Sequence, residues 1–147
     1  MKREKDKFEQ LLMESFYAAI DAADPHKVVA PHIPTTFAGD VIVVGAGKAA
    51  ASMAAAVEEA WPEKELSGVV ITRHGHSEKT KKITVLEASH PIPDQSNLDA
   101  TKRMMDQLDR LKEGSMLLAL LSGGGSSLLS LPVEGVTIED IRKVTED

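Results

Sequence analysis

Apolar positions along this chain follow two rhythms. Phe8, Leu11, Leu12, Phe16, Ala19, Ile20 and Ala23 recur at intervals of three and four, the spacing of a helix with one buried stripe, which predicts a first helix over about residues 5–23. Asp24-Pro25 ends it, and Pro25, Pro31, Pro34 and Gly39 make the stretch up to residue 40 an irregular connector. The pattern then changes to short unbroken runs: Val41-Ile42-Val43-Val44, Val69-Val70-Ile71, Ile83-Thr84-Val85-Leu86 and residues 116–121. Each is bounded by Gly, Pro or polar residues and reads as a strand, the first of the kind a parallel sheet covers on both faces. Helical spacing returns between the runs. Met53, Ala56, Val57 and Ala60 mark a helix over residues 49–60 whose alanines allow close packing on a sheet. Leu98, Thr101, Met105, Leu108 and Leu111 mark another, opened by the capping pattern Ser96-Asn97-Leu98-Asp99 and stopped by Gly114. Thr137-Ile138-Glu139-Asp140 opens a terminal helix in the same way.

Strands alternating with helices require right-handed crossovers and parallel pairing. The expected fold class is therefore α/β, an open, mainly parallel Rossmann-like sheet with helices on both faces. Residues 1–40 are expected as a helix and connector packing on the domain, and residues 41–147 as the nucleotide- and substrate-binding region.

Composition narrows the function. The chain has 147 residues, 42% hydrophobic and 27% charged, enough for one domain that needs neither metal nor disulfide to hold together. With no cysteine, disulfide scaffolds, thiolate zinc sites and cysteine nucleophiles drop out, and a reducing compartment fits. A net charge of −6, with 17 Lys and Arg spread along the sequence, argues against a nucleic-acid partner. So does the scarcity of stacking surfaces, which number three Phe, one Tyr and one Trp. The charged start, Met1 to Lys7, lacks the apolar region of a secretory signal. The longest apolar stretch, residues 41–57, is broken by Gly45, Gly47 and Lys48 and falls short of the roughly 18 residues of a membrane span. A cytoplasmic protein with no membrane partner is expected.

In open parallel sheets ligands sit beyond the carboxyl ends of the strands, so the loops after each apolar run carry the chemistry. Gly45-Ala46-Gly47-Lys48-Ala49-Ala50 follows the first strand and opens a helix. Its glycines let the backbone approach a phosphate, and the helix amino terminus offers unpaired N–H groups. A lysine in the first turn opposes the helix dipole at a cost of about 0.3–1 kcal/mol, a placement that makes sense with an anion between them. Ile42 and Ala49 stand where a Walker A loop needs Gly and Ser/Thr, so this is not that motif. Gly45-x-Gly47-x-x-Ala50 does fit a dinucleotide fingerprint, and Arg73 after the second strand would favour a 2′-phosphate, hence NADP. Ser122-Gly123-Gly124-Gly125-Ser126-Ser127 follows the fourth strand. Three consecutive glycines suit close backbone approach, and the flanking hydroxyls can donate to oxyanions. Ser89-His90-Pro91-Ile92-Pro93-Asp94-Gln95-Ser96 follows the third strand, where His90 could hydrogen-bond a substrate while Asp94 and Ser96 could cap the next helix. His74-Gly75-His76 lacks a third nearby ligand, so no residue is assigned to a metal.

Taken in order, Val43-Val44-Gly45-Ala46-Gly47-Lys48-Ala49-Ala50, Gly75-His76, His90-Pro91-Ile92-Pro93-Asp94 and Leu121-Ser122-Gly123-Gly124-Gly125-Ser126-Ser127-Leu128-Leu129 resemble the type-2 glycerate kinase family, whose members are also labelled hydroxypyruvate reductases. The likeness covers nearly the whole chain. It implies transfer of the ATP γ-phosphoryl group to a hydroxyl of D-glycerate, usually the 2-hydroxyl, with magnesium, and it matches Lys48 to the family's catalytic lysine. The other motif residues, Gly45, Gly47, His76, His90, Asp94 and the 122–127 stretch, then bind substrate or nucleotide. One departure is Ser89, where the family commonly has glycine. Another is length: the family's chains are longer, with a second domain contributing further catalytic residues across a cleft. The resemblance thus makes this an amino-terminal portion, with catalysis expected of the longer enzyme and a homodimer left open. An NADP-dependent hydroxypyruvate reductase and a sugar-phosphate-binding module of the isomerase-like kind remain as alternatives. The whole reading requires the Lys48 turn and the three adjacent glycines to converge at one rim of the sheet around an oxyanion.

Overall fold

The structure is a computed structural model and describes residues 2–34 and 36–147. Four parallel strands form one sheet in the order β3-β2-β1-β4: β1 Val41–Ala46, β2 Leu66–Arg73, β3 Thr84–Ala88 and β4 Met116–Leu121. β1 is central, with Val41 beside Leu66 and Met116 and Ala46 beside Ile71 and Leu121. On its far side β2 pairs with β3 from Val69–Thr84 to Arg73–Ala88. Successive side chains point to opposite faces, so β1 and β2 supply two apolar layers. Val41, Val43 and Val70 meet Ala50, Ala54 and Val57 of helix α3 (Ala50–Ala60). Ala46, Val69 and Ile71 meet Ala100 and Met104 of α4 (Gln95–Leu108) and Leu128 of the short α5 (Gly125–Leu128). Helices thus cover both faces of an α/β sheet, as expected.

Several elements differ from the sequence reading. β2 runs three residues further back and two further forward than its apolar triplet, and β3 begins and ends later, because pairing rather than side-chain type decides where a ladder stops. α4 is capped two residues earlier than expected, by Asp94 with Asn97 in the reciprocal position, and it ends at Leu108 rather than at Gly114. Its buried side is Asn97, Ala100, Thr101 and Met104, whereas Met105 and Leu111 of the predicted stripe are exposed. Small and polar residues let the helix sit close to the sheet while its loops are tied from below. The connector is partly regular, with helix α2 (Pro25–Val28) and a 3-10 turn (Ala30–His32), and it sends Val29 and Ile33 into the core. The 122–127 loop contains α5. α6 (Ile138–Glu146) begins at the expected Thr137–Asp140 capping box.

The largest departure is α1 (Lys2–Ala22). Its stripe, predicted to be buried, is open to solvent: Phe8 is 65% exposed, Leu12 57% and Phe16 58%. Periodicity reports a face fit for burial, not what it lies against. Here both faces of the central strands are already closed by α3, by α4 and by the connector. Among the described residues no helix is long and apolar enough to cross a membrane.

One polar contact ties the connector to the domain. His26 places Nδ1 2.8 Å from Glu59 and Nε2 3.0 Å from Glu78, joining α2, α3 and the β2–β3 connection. An imidazole flanked by acceptors on both nitrogens is satisfied only when doubly protonated. The hydrogen bond that the ring donates to Glu59, reinforced by the one to Glu78, accordingly holds the His26 pKa above its ordinary 6.5. A folded-state pKa raised in this way adds stability that is fully present below the unfolded value and is lost as pH rises through the folded one. His26→Gln should therefore lower the melting temperature at pH 6 and leave it nearly unchanged at pH 9, checked by thermal unfolding at both values.

Candidate functional site

From β1 the chain moves through β2 to β3 on one side of the sheet and then returns to β4 on the other. The reversal leaves a crevice between the carboxyl ends of β1 and β4, where such sheets take ligands. The loops meeting there are joined through their backbones. Gly47 donates its N–H to Ile71 O at 3.1 Å, Lys48 to Gly123 O at 2.9 Å, and Ser122 to Ala46 O at 3.1 Å. Ala49, at the start of α3, donates to the Ser122 hydroxyl at 3.0 Å. Gly47 has φ +137°, and a Cβ there would overlap the Ser122 hydroxyl and lie 2.6 Å from its carbonyl oxygen, so the turn admits only glycine.

Gly124 is the point of convergence. It adopts φ +86°, and a Cβ on it would stand 2.6 Å from His90 Nε2 and 3.5 Å from Lys48 Cε. His90 belongs to the loop after β3, so that loop crosses above the end of β2 to reach the β4 side. Lys48 is exposed, and among the described residues no carboxylate lies within 4.0 Å of its amine. An unpaired ammonium, an imidazole and a left-handed glycine thus share one rim.

Asn97 holds this arrangement from beneath and is fully buried. Its Oδ1 accepts from the N–H of Ser89 at 3.2 Å and of Asp94 at 2.9 Å. Its Nδ2 donates to Ser89 O at 2.9 Å and to Ser127 O at 3.0 Å, which joins the His90 loop to the glycine loop. The sequence reading took Asn97 only as part of a capping pattern. The signal that finds it is the spacing Asp94-x-x-Asn97, a capping box two residues back.

The predicted site residues divide into groups. Lys48, His90, Gly124 and the open Gly123 face the rim. Gly45 lies inside β1, where a Cβ would meet Leu120 O at 2.5 Å, so it serves close strand packing rather than the turn. The Asp94 carboxylate is occupied: it accepts from the Ser89 and Ser96 hydroxyls at 2.5 Å each and from Ser96 N–H at 2.8 Å. Those hydroxyls, Ser89 foremost, hold its pKa below the usual carboxylate value. The Ser122 hydroxyl is committed to Ala49 and that of Ser127 to Gly124 O at 3.1 Å. Gly125 opens α5, and Ser126 is exposed beside it. His76 sits in an exposed turn and donates its N–H to Arg73 O, with no hydrogen bond to the rim among the described residues. Among those residues no group of three or more His, Asp or Glu is arranged to hold a metal.

Residues 11–147 match the family model described as a domain of unknown function, DUF4147. The chain belongs to the DUF4147 family. It is 40% identical to a D-glycerate 2-kinase of Thermotoga maritima over 95% of this chain and 34% of that protein. It is also 44% identical to a protein of Agrobacterium vitis named "Putative hydroxypyruvate reductase", over 93% of this chain and 31% of that one. The crystal structure of a glycerate kinase from Thermotoga maritima superposes with a TM-score of 0.83 at 40% identity, covering 96% of this chain and 34% of that chain. The DUF4147 chain thus spans about a third of the length of the curated relatives it matches.

Removing the staple beneath the rim should be costly. Asn97→Ala strands the Asp94 N–H and takes the Asn97 donor from the Ser89 and Ser127 carbonyls, while Ser89 N–H keeps the Ser96 hydroxyl at 3.3 Å, and it is expected to lower unfolding free energy by about 2–3 kcal/mol, measured by urea titration.

Proposed function

We propose that this chain is the amino-terminal portion of a cytoplasmic glycerate kinase that transfers the γ-phosphoryl group of ATP to the 2-hydroxyl of D-glycerate. The observation that carries this reading is the Lys48 side chain, free of carboxylates among the described residues, which borders with the His90 ring the space over Gly124 at the carboxyl ends of β1 and β4. Phosphoryl transfer asks chiefly for positioning and for neutralising charge on the moving group. ATP, bound with magnesium, would supply the γ-phosphoryl group, with ADP as the leaving group. Lys48 offsets negative charge on that group. Gly123 and Gly124 bring main chain close to its oxygens without side-chain obstruction, and His90 hydrogen-bonds the acceptor. The described residues do not by themselves make a magnesium site, because no three acids or histidines converge among them and Asp94, the carboxylate of the rim loops, already accepts from Ser89 and Ser96.

The reductase alternative rests on the Gly45-x-Gly47-x-x-Ala50 fingerprint together with Arg73, and two features weigh against it. Its first glycine is spent on packing against Leu120. A lysine stands inside the turn that a dinucleotide would have to approach.

The test uses the longer protein that carries this chain, assayed in parallel for D-glycerate-dependent ADP formation and for NADPH oxidation with hydroxypyruvate. Kinase activity yielding 2-phosphoglycerate is expected, and NADPH-linked reduction in its place would overturn the reading. Lys48→Ala should lower kcat by roughly 10²–10³-fold, the scale for losing one transition-state charge partner, with its urea midpoint unchanged.

A further inference from the structure

We infer that Arg73 is a second cationic contact of this rim, its guanidinium binding an oxyanion of the substrate, carboxylate or phosphoryl, from the β2 side while Lys48 binds from the β1 side. The identity of the anion rests on the kinase reading; the existence of the anion contact does not.

Arg73 is the last residue of β2. Two steps earlier Ile71 O receives the Gly47 N–H, and the Thr72 hydroxyl donates to Lys48 O at 3.4 Å, so this strand end runs alongside the lysine turn. On its other side Arg73 is in register with Ala88, after which the chain continues into Ser89 and His90. The His90 loop starts at β3 and ends against Gly124 on the β4 side, which takes it over the end of β2. Arg73 therefore lies between and beneath the two loops that bring Lys48 and His90 together. By alternation it shares its face with Val69 and Ile71, under α4 and α5.

Its hydrogen bonding is unfinished. Arg73 Nε is the one buried side-chain nitrogen or oxygen among the described residues with no partner. No Asp or Glu lies within 4.0 Å of its guanidinium among those residues. The neighbouring acid on β3, Glu87, is turned instead to the N–H groups of Gly75 and Ser77 and to the His74 ring. A guanidinium presents a planar fork that matches the paired oxygens of a carboxylate or phosphate and cannot give up its charge. Nε is enclosed by protein, whereas the two Nη groups make no hydrogen bond to the described residues and are not enclosed, so they are the donors a ligand oxygen can reach.

The experiment compares wild type, Arg73→Gln and Arg73→Lys in the full chain by calorimetric titration with D-glycerate and, separately, with inorganic phosphate, alongside KM values for D-glycerate and ATP. Loss of a charged hydrogen bond should weaken one of the two anions about tenfold in Arg73→Gln. Arg73→Lys should recover part of the loss, and urea midpoints should stay together. A change confined to D-glycerate assigns the acceptor carboxylate, and one confined to phosphate and ATP assigns the phosphoryl group. Unchanged affinity for both in Arg73→Gln overturns the inference and leaves the kinase reading standing. Arg73-dependent phosphate binding without D-glycerate binding or turnover supports the contact while sinking the kinase reading. Affinity lost in Arg73→Gln only together with a lowered urea midpoint, and fully kept in Arg73→Lys with a normal one, identifies a structural role and also overturns the inference.

Discussion

Two backbone donors at the amino end of α3 fix the geometry of everything at this rim. Lys48 N–H reaches Gly123 O and Ala49 N–H reaches the Ser122 hydroxyl, so the loop after β1 and the loop after β4 cannot move independently. Parallel pairing brings the two strand ends level, and the absence of a side chain at Gly47 lets the loops touch. Both groups would otherwise compete for water at an exposed edge, and main-chain donors left unpaired near a core are costly. The Lys48 side chain is thereby carried on a turn with little freedom, which is what binding a charged group at a defined point requires.

The electrostatics follow from which charges are neutralised. The chain as a whole is acidic, at −6, yet the carboxylates nearest this rim are committed elsewhere. Asp94 is enclosed by serines and caps α4, and Glu87 faces the turn after β2. Lys48 and Arg73 have no carboxylate within 4.0 Å among the described residues, so this end of the sheet is locally more positive than the chain as a whole.

Much of this was legible in the sequence, for identifiable reasons. Val41–Val44 and residues 116–121 are runs with no polar interruption, so strand identity and even the bounds of β4 follow from composition. Glycines at 47 and 124 signalled close approach, and both do occupy positions where a side chain would collide. Other features depend on neighbours distant in sequence. Asp94 and Ser122 are polar residues at strand ends, and only the fold reveals that Asp94 accepts from Ser89 and Ser96 and that the Ser122 oxygen accepts from Ala49 N–H while its O–H can still donate. Asn97 faces inward because two loops present carbonyls to it, which overrides the apolar stripe expected of α4. The buried stripe of α1 failed because amphipathicity states a capacity for packing, and nothing in residues 8–23 says whether the sheet has room for it.

That exposed helix also changes how the chain reports on its own folding. α1 contributes 21 residues to any far-ultraviolet dichroism signal, while Trp61, the sole tryptophan, is 8% exposed and packed in the core beneath α3. A long helix without tertiary support has only local hydrogen bonds to sustain it and frays over a broad temperature range. Ellipticity and tryptophan fluorescence consequently follow different units of the same molecule, and a stability taken from one optical probe describes only the part that probe sees.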